Sequence, residues 1–350
     1  MKRVFLLFTI MAMTLTACRY EYNYYGPTPE QGDNSENNES GGSDNSGNSG
    51  NSGNSGNSGG SNNSGENSGT PHTGTNNVIL YHSTSKVNPT STNIFGATYI
   101  SNEWNPNTGD GIITFASDVT HIGEYAFRQC SSLETMSIPN TVTIIGERAF
   151  SGCSNLESIN IPYGVTEIGE YAFYECSLES IDIPNSVTEI GGYAFYSNNF
   201  TTLEIPNSIT EIASHTFYRC DYLTSVTIPD NVTSIGDRAF YDCGALESLT
   251  LPESLTTIGD QAFSWCNNIP SITIPKNVTS IGDKAFYVYN GYNCRQTTYC
   301  MGSTPPTIGI DTFSGSFYYP IYVPKESVET YKNAPTWSGL ADRIKAAIDF

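Results

Sequence analysis

Apolar and polar positions between residues 119 and 290 keep neither a helical nor a strand rhythm for long. The stretch SVTEIGGYAFY, residues 186–196, shows the mixture: Val187, Ile190, Ala194 and Phe195 are apolar around a glycine pair. GVTEIGEYAFY lies 22 residues earlier and SITEIASHTFY 22 residues later, so the pattern belongs to a repeat. Ile138-Pro139, Ile161-Pro162, Ile183-Pro184, Ile205-Pro206, Ile228-Pro229, Leu251-Pro252 and Ile274-Pro275 recur at steps of 22 or 23 residues. An Ile-Gly-x-x-Ala-Phe element runs in phase from Ile122, Ile145, Ile168, Ile190, Ile235, Ile258 and Ile281, with variants at Ile212 (IASHTF) and Ile308 (IGIDTF).

One unit resolves into three pieces. SNLESINIP alternates as a strand should, with Leu156, Ile159 and Ile161 inward and Ser158 and Asn160 outward. The proline stops that ladder. GVTEIG predicts a second short extended piece, with Val165 and Ile168 inward and Gly169 at a sharp corner. EYAFYEC predicts one helical or 3-10 turn, with Ala172 and Phe173 plugging the core. A unit this short cannot bury its own apolar side chains, so successive units must stack around one shared core, as a repeat solenoid.

The pattern Leu-x-x-Ile-x-Ile-Pro-x-x-Val-Thr-x-Ile-Gly-x-x-Ala-Phe-x-x-Cys resembles the BspA-like (Treponema pallidum-type) leucine-rich repeat, tightly over residues 119–290. FGATYISNEWNPNTGDGIITF is similar to that family's leading cap, and the segment from PPTIGIDTF to GLADRI to its closing turn and terminal helix. The resemblance implies a right-handed arc with short strands on the concave face, short strands and 3-10 or helical turns elsewhere, and a cap at each end. It also implies a surface lipoprotein of Bacteroides-type bacteria, in a family whose functions centre on adhesion and binding to host or microbial molecules. Open sheet edges invite aggregation. Residues 78–118 are therefore expected as the N-terminal cap, and 291–350 as a last irregular repeat with a C-terminal cap. There Trp337, Leu340, Ile344 and Ile348 recur at helical spacing and read as cap packing.

The N-terminal residues have a different composition. Residues 1–17 read as a secretory signal: Lys2 and Arg3, then an apolar run from Val4 to Met13, too short for a bilayer of about 30 Å. LTAC resembles a lipobox, which implies cleavage before Cys18 and acylation of that cysteine, an anchor worth about 0.8 kcal/mol per buried methylene. Residues 18–30 form a membrane-proximal tether whose Tyr20, Tyr22, Tyr24 and Tyr25 suit the headgroup level. Residues 31–77, almost free of apolar side chains, read as a flexible Gly/Ser/Asn linker with a reach of roughly 35–40 Å. The expected location is the outer membrane, facing outward.

The formal net charge of −20 argues against nucleic acid, which needs a basic stripe. Cys130, Cys153, Cys176, Cys220, Cys243 and Cys266 each sit three residues after a repeat phenylalanine, with Asn198 and Tyr289 in the same place in two other units. Their periodicity favours small buried hydrophobes over disulfides, although a bridge between adjacent units is sterically open. Cys294 and Cys300 lie outside the repeat and form a candidate disulfide. No Cys-x-x-Cys seeds a zinc site, and no nucleophile-elbow, P-loop or His-Glu-x-x-His motif occurs. His121 and His215 stand four units apart, too far to share a catalytic centre. The expectation is a non-enzyme, without cofactor or metal, monomeric, that recognises an extracellular protein or glycan. Two other roles stay open: accessory glycan capture for nutrient uptake, and an envelope spacer.

Outward strand positions supply the candidate binding face, Ser158, Asn160, Ser180, Asp182, Thr202, Glu204, Ser225 and Thr227. Such residues also simply suit exposed strands. Glu167, Glu189 and Glu211, expected to stack on consecutive units, form a candidate patch for a cation or a basic partner, with solvated acid as the plainer account. The tyrosines flanking the repeat Ala-Phe, among them Tyr171, Tyr174, Tyr193, Tyr196, Tyr218 and Tyr241, suggest an outer aromatic stripe partly buried between units.

Overall fold

The computed structural model describes residues 76–288, 296–315 and 319–347. The signal sequence, Cys18, the linker through residue 75, Tyr289, Cys294 and Ile348 lie outside the described residues. The repeats form a β-solenoid of nine coils with little helix, each coil centred on one phenylalanine: Phe127, Phe150, Phe173, Phe195, Phe217, Phe240, Phe263, Phe286 and Phe313. All nine side chains are buried, and neighbouring rings stack with centroids 5.2–5.7 Å apart. Offset aromatic pairs at that separation add to the area they bury. Phe95 closes the stack at the N-terminal end, 5.8 Å from Phe127, and Trp337 at the other, 5.8 Å from Phe313.

Backbone ladders run along the coils. The two-residue strands before the corners pair in parallel within two blocks, His121–Ile122 to Glu189–Ile190 and Glu211–Ile212 to Thr307–Ile308, as in Glu167–Ile168 with Glu189–Ile190. The corner is glycine because the preceding coil passes beneath it: a Cβ on Gly169 would lie 2.7 Å from the Glu147 nitrogen, and one on Gly191 would lie 2.5 Å from the Glu170 nitrogen. Beside these strands, threonine hydroxyls donate to the carbonyl of the equivalent threonine one coil back, as Thr166 does to Thr143 at 3.2 Å.

The expected helical or 3-10 turn takes the form of overlapping i→i+3 turns. In coil 2, Ala149 donates to Gly146, Ser151 to Arg148 and Cys153 to Phe150. The intervening amides point the other way, Arg148 to Glu170, Phe150 to Ala172 and Gly152 to Tyr174 of coil 3. That alternation needs positive φ at residues such as Arg148, Tyr171, Glu175, Tyr193 and His215. Non-glycine residues adopt this region at a cost, which the cross-coil bonds offset.

The caps cover both edges. β1 (Val78–Ser83), β2 (Tyr99–Trp104) and β3 (Asp110–Phe115) form an antiparallel sheet, and β1 also pairs antiparallel with Leu133–Ser137, the first inner strand of the solenoid. At the other end Thr297–Cys300, Ile321–Val323 and Ile344–Ala346 extend the inner sheet in parallel. The helical spacing of Trp337, Leu340 and Ile344 does not produce one helix. The helix α1 (Val328–Asn333) ends before Ala334-Pro335, where the proline holds Ala334 to extended backbone; Ser338–Arg343 is 3-10, and Ile344 begins a strand. Trp337 is nevertheless fully buried and donates from Nε1 to the Pro306 carbonyl at 2.7 Å. Among the described residues no helix is long and apolar enough to cross a membrane.

Candidate functional site

Three surfaces carry the residues singled out in the sequence. On the inner strand face all eight candidates, Ser158, Asn160, Ser180, Asp182, Thr202, Glu204, Ser225 and Thr227, are exposed. Thr202 aligns with Ser225 and Glu204 with Thr227 in one parallel ladder, while Ser158 and Asn160 belong to another with Thr135 and Ser137. Ser180 and Asp182 lie between the two in residues with no strand pairing, after a loop that is one residue shorter (Cys176 to Leu178) than its neighbour (Cys153 to Leu156). The face is thus a row of small polar groups carried by two strand pairs, not one continuous sheet.

The second surface is a groove of about 640 Å³ along the glycine corners of coils 1–4. Its floor is bare backbone at Gly123, Gly146, Gly169 and Gly191, and its walls carry Glu124, Glu147, Glu167, Glu170 and Glu189, with His121, Ile94 and Ile144. Glu167 and Glu189 stand directly opposite in the ladder, as the sequence implied. Glu211 does not join them: among the described residues its strand pairs only forward, with Ser234–Ile235, and it does not line the groove. The expected three-glutamate stack is therefore a registered pair plus one residue across a break.

Glu124, Glu147 and Glu170 were not singled out in the sequence, although each simply follows a corner glycine. In later coils that place is aspartate, and the shorter side chain folds back onto the ladder. Asp260 donates its amide to Asp237 Oδ1 at 2.8 Å, Asp283 to Asp260 Oδ1 at 2.7 Å, and Ile310 to Asp283 Oδ1 at 2.6 Å. The carboxylates of coils 6–8 are thereby partnered within the fold, whereas no such corner bond holds Glu124, Glu170 or Glu189 among the described residues. Glu147 pairs with Arg148, whose guanidinium also lies over the Tyr171 ring at 4.3 Å. Like charges directly opposite in a ladder, as Glu167 and Glu189 are, oppose one another. A cationic ligand would relieve that repulsion.

The third surface is the tyrosine stripe. Tyr171 and Tyr193 stack at 4.6 Å, Tyr174 and Tyr196 at 4.5 Å, Tyr196 and Tyr218 at 5.0 Å, and Tyr218 and Tyr241 at 4.7 Å. Ring faces are consumed by this stacking, so solvent meets mainly edges and hydroxyls. Burial raises the phenols of Tyr171, Tyr174, Tyr193 and Tyr196 above their ordinary value. The stripe therefore works first as outer packing.

The repeat cysteines are free thiols. Cys153 Sγ donates to the Phe127 carbonyl at 3.1 Å, Cys176 to Phe150 at 3.2 Å and Cys243 to Phe217 at 3.3 Å, one ladder bond per coil. Asn198 takes the same place with its Nδ2 on the Phe173 carbonyl at 2.8 Å. Burial pushes the thiols up, to about 12 for Cys176, Cys220 and Cys266. Cys300 is buried as well, its candidate partner Cys294 being outside the described residues. Among the described residues no group of His, Cys, Asp and Glu could hold a metal ion.

The model of the BspA type leucine rich repeat region matches residues 109–201 and 188–319, six copies in all. Among solved structures, a leucine-rich repeat protein from Bacteroides ovatus is 28% identical, with 64% of this chain and 61% of that one covered and a TM-score of 0.49. A leucine rich cell surface protein from Faecalibacterium prausnitzii is 27% identical over 64% of this chain and 65% of that one, TM-score 0.41. The T. pallidum leucine rich repeat protein is 24% identical over 65% and 88%, TM-score 0.30. The chain thus spans less than two thirds of the length of the first two. No curated protein matches it.

Proposed function

This chain belongs to the BspA-type leucine-rich repeat family, and from that premise we propose that it is a non-catalytic recognition protein, held by a lipid on Cys18 and displayed on the cell surface, whose first coils bind a basic segment of an extracellular protein. The observation that carries the reading is the groove, where five glutamates line a backbone floor that only glycine corners leave open. The polar inner face, with Thr202, Glu204, Ser225 and Thr227 exposed on a paired ladder, supports it as a second contact area. Membership of a repeat family supports the absence of chemistry in this reading.

Two measurements test it. Protease added to intact cells should remove the solenoid from an immunoblot. Protection until the outer membrane is opened would place the chain inside and end the surface reading. Binding of the full chain to an array of basic and acidic peptides and glycans should favour basic peptides and weaken steeply with salt, as exposed charge pairs do. Equal binding of Glu147→Lys/Glu170→Lys and wild type to basic peptides would remove the groove from the interface.

A further inference from the structure

The parallel ladder at the glycine corners is missing between coils 4 and 5. Below this place Thr188 donates to Thr166 at 2.9 Å and Gly191 to Ile168 at 2.8 Å; above it Thr233 donates to Thr210 at 2.9 Å and Gly236 to Ile212 at 2.8 Å. The corresponding bonds from Thr210 to Thr188 and from Ala213 to Ile190 are absent among the described residues, and so is the threonine hydroxyl bond that joins the other neighbouring coils. The sheet accordingly stops at Glu189–Ile190 and restarts at Glu211–Ile212.

The cause is in the sequence of coil 5, IASHTF, which has Ala213 where its neighbours have glycine. At the adjacent corners a Cβ would come within 2.5 Å (Gly191) and 2.7 Å (Gly236) of the nitrogen one coil below. Ala213 carries that Cβ, so its corner cannot close onto coil 4. Gly192 beneath it, in a place held by glutamate or aspartate in most other coils, removes a side chain that would crowd the gap.

Across the outer side of the junction the bonds lengthen toward the corner: Ser197 donates to Tyr218 at 2.8 Å, as in other coils, and the two nearer Ala213 are longer. Tyr193 donates to Ser214 at 3.3 Å and Phe195 to Thr216 at 3.0 Å, both longer than their counterparts from Arg238 and Phe240, at 2.8 Å. The closest ring contact is Tyr193 on His215, stacked at 4.2 Å, tighter than any tyrosine pair of the stripe. His215 Nδ1 is buried and has no hydrogen-bond partner among the described residues. The groups that face this imidazole are Tyr193 from coil 4, Tyr218 from its own coil, and Asp237 and Arg238 from coil 6. Asp237 favours a proton on the ring, while Arg238 and burial oppose it.

We infer that the junction between coils 4 and 5 is a proton-sensitive hinge: neutral His215, stacked on Tyr193, holds shut a corner that Ala213 leaves without its backbone ladder, and a proton on His215 opens it. A cationic ring there would carry a buried Nδ1–H without an acceptor, next to a guanidinium, and moving apart from Tyr193 gives that group water. The inner strands stay paired through Thr202–Glu204 and Ser225–Thr227, which places the axis of opening on the inner face. Glu189 and Gly191 line the end of the acidic groove, so opening alters the groove as well. Protonation of His215 thus changes the shape of the surface that the protein displays.

Amide exchange resolved to single residues, on the full chain at pH 7.0 and 5.0 with intrinsic rates corrected, tests the hinge. In wild type the protection of the Tyr193 and Phe195 amides should fall at least tenfold more on acidification than that of Arg238 and Phe240. His215→Tyr installs the residue that coils 1, 3 and 4 carry at the same positive φ, and should abolish the difference. Ala213→Gly should restore the ladder and keep the junction amides protected at both pH values. Equal loss at both junctions in wild type would show general acid loosening and overturn the inference, as would a pH response that survives either substitution. Should His215→Tyr fail to fold by circular dichroism, the Ala213→Gly result decides alone.

Discussion

At the residue scale the chain shows how one position can be filled by unlike side chains that do the same work. Asn198 stands in the cysteine column, donating from Nδ2 to Phe173 and accepting the Leu178 amide on Oδ1 at 3.1 Å. Asn198→Ala strands two buried backbone groups and should lower stability by about 2–6 kcal/mol, at roughly 1–3 kcal/mol each. Asn198→Cys keeps the bond to Phe173, as Cys176 does for Phe150, and should lose about half as much in denaturant titrations. The thiols themselves should be inert: at pH 8 a small alkylating agent should leave Cys153, Cys176, Cys220, Cys243 and Cys266 unmodified in the folded chain and reach Cys130, the half-buried member, only slowly. Peptide mass mapping reads this directly, and rapid labelling of a buried member would contradict the ladder. Acid dependence at this scale has two opposing sources. Burial lowers His215 to about 4, so its contribution is intact above its ordinary value of 6.5 and is lost as pH falls toward 4. Burial raises Asp242 to about 6 from 3.8, against the pull of Arg219, so the folded state gains relative stability as pH falls through 6. The two cancel in part between pH 4 and 6. Asp242→Asn should therefore steepen the acid loss and His215→Tyr should flatten it, by roughly 1 kcal/mol each between pH 7 and 4.5 after allowing for partial solvent screening; parallel curves for wild type and both variants would refute the assignment.

At the element scale the strands and corners were legible in the sequence because each depends on residues within a few positions. The alternation in SNLESINIP, the stop at Pro162 and the turn at Gly169 report local sterics that any coil would feel. The outer segment was legible only as a tight turn. Its overlapping i→i+3 bonds and positive φ values at Tyr171 and Tyr193 exist because every second amide is claimed by the next coil, a partner that lies 20 or more residues away in sequence. The groove was missed for the same reason: Glu124, Glu147 and Glu170 form a wall only once the coils stack, and only because the aspartates that replace them later bond to the ladder instead. The junction at Ala213 was visible as a variant, yet its meaning required the 2.5–2.7 Å approach of one coil to the next. That approach can be tested in reverse. Gly169→Ala should break the Gly169-to-Ile145 bond and cost about 1–3 kcal/mol, since a close-packed site must shift to admit a methyl group. Loss of exchange protection at the Gly169 and Thr166 amides, with the neighbouring corners unchanged, is the expected signature; full protection with unaltered stability would mean that the corner glycine is not sterically required.

At the scale of the molecule a solenoid is a chain of neighbour contacts, and its stability is approximately a sum of unit and interface terms. Here the sum is uneven. The corner ladder divides into a block from His121–Ile122 to Glu189–Ile190 and another from Glu211–Ile212 to Thr307–Ile308, while the phenylalanine stack runs through both and ends on Phe95 and Trp337. Damage at one end should therefore spread until it meets the weakest interface. Trp337→Ala removes a fully buried indole, frees the Pro306 carbonyl and uncovers Phe313, at a cost of about 3–5 kcal/mol. Those losses fall on coils 6–9, whose neighbours on the far side are joined to coils 1–4 through a junction lacking its corner ladder. In intermediate denaturant the amides of the second block, such as Arg238 and Gln261, should lose protection first, while Tyr125 and Arg148 in the first block keep theirs. A single transition shared by both blocks would show that the phenylalanine stack and the inner strands alone carry cooperativity across the junction. A split transition would show that one alanine in the place of a glycine has set the boundary between two folding units, with the acidic groove wholly on the more durable side.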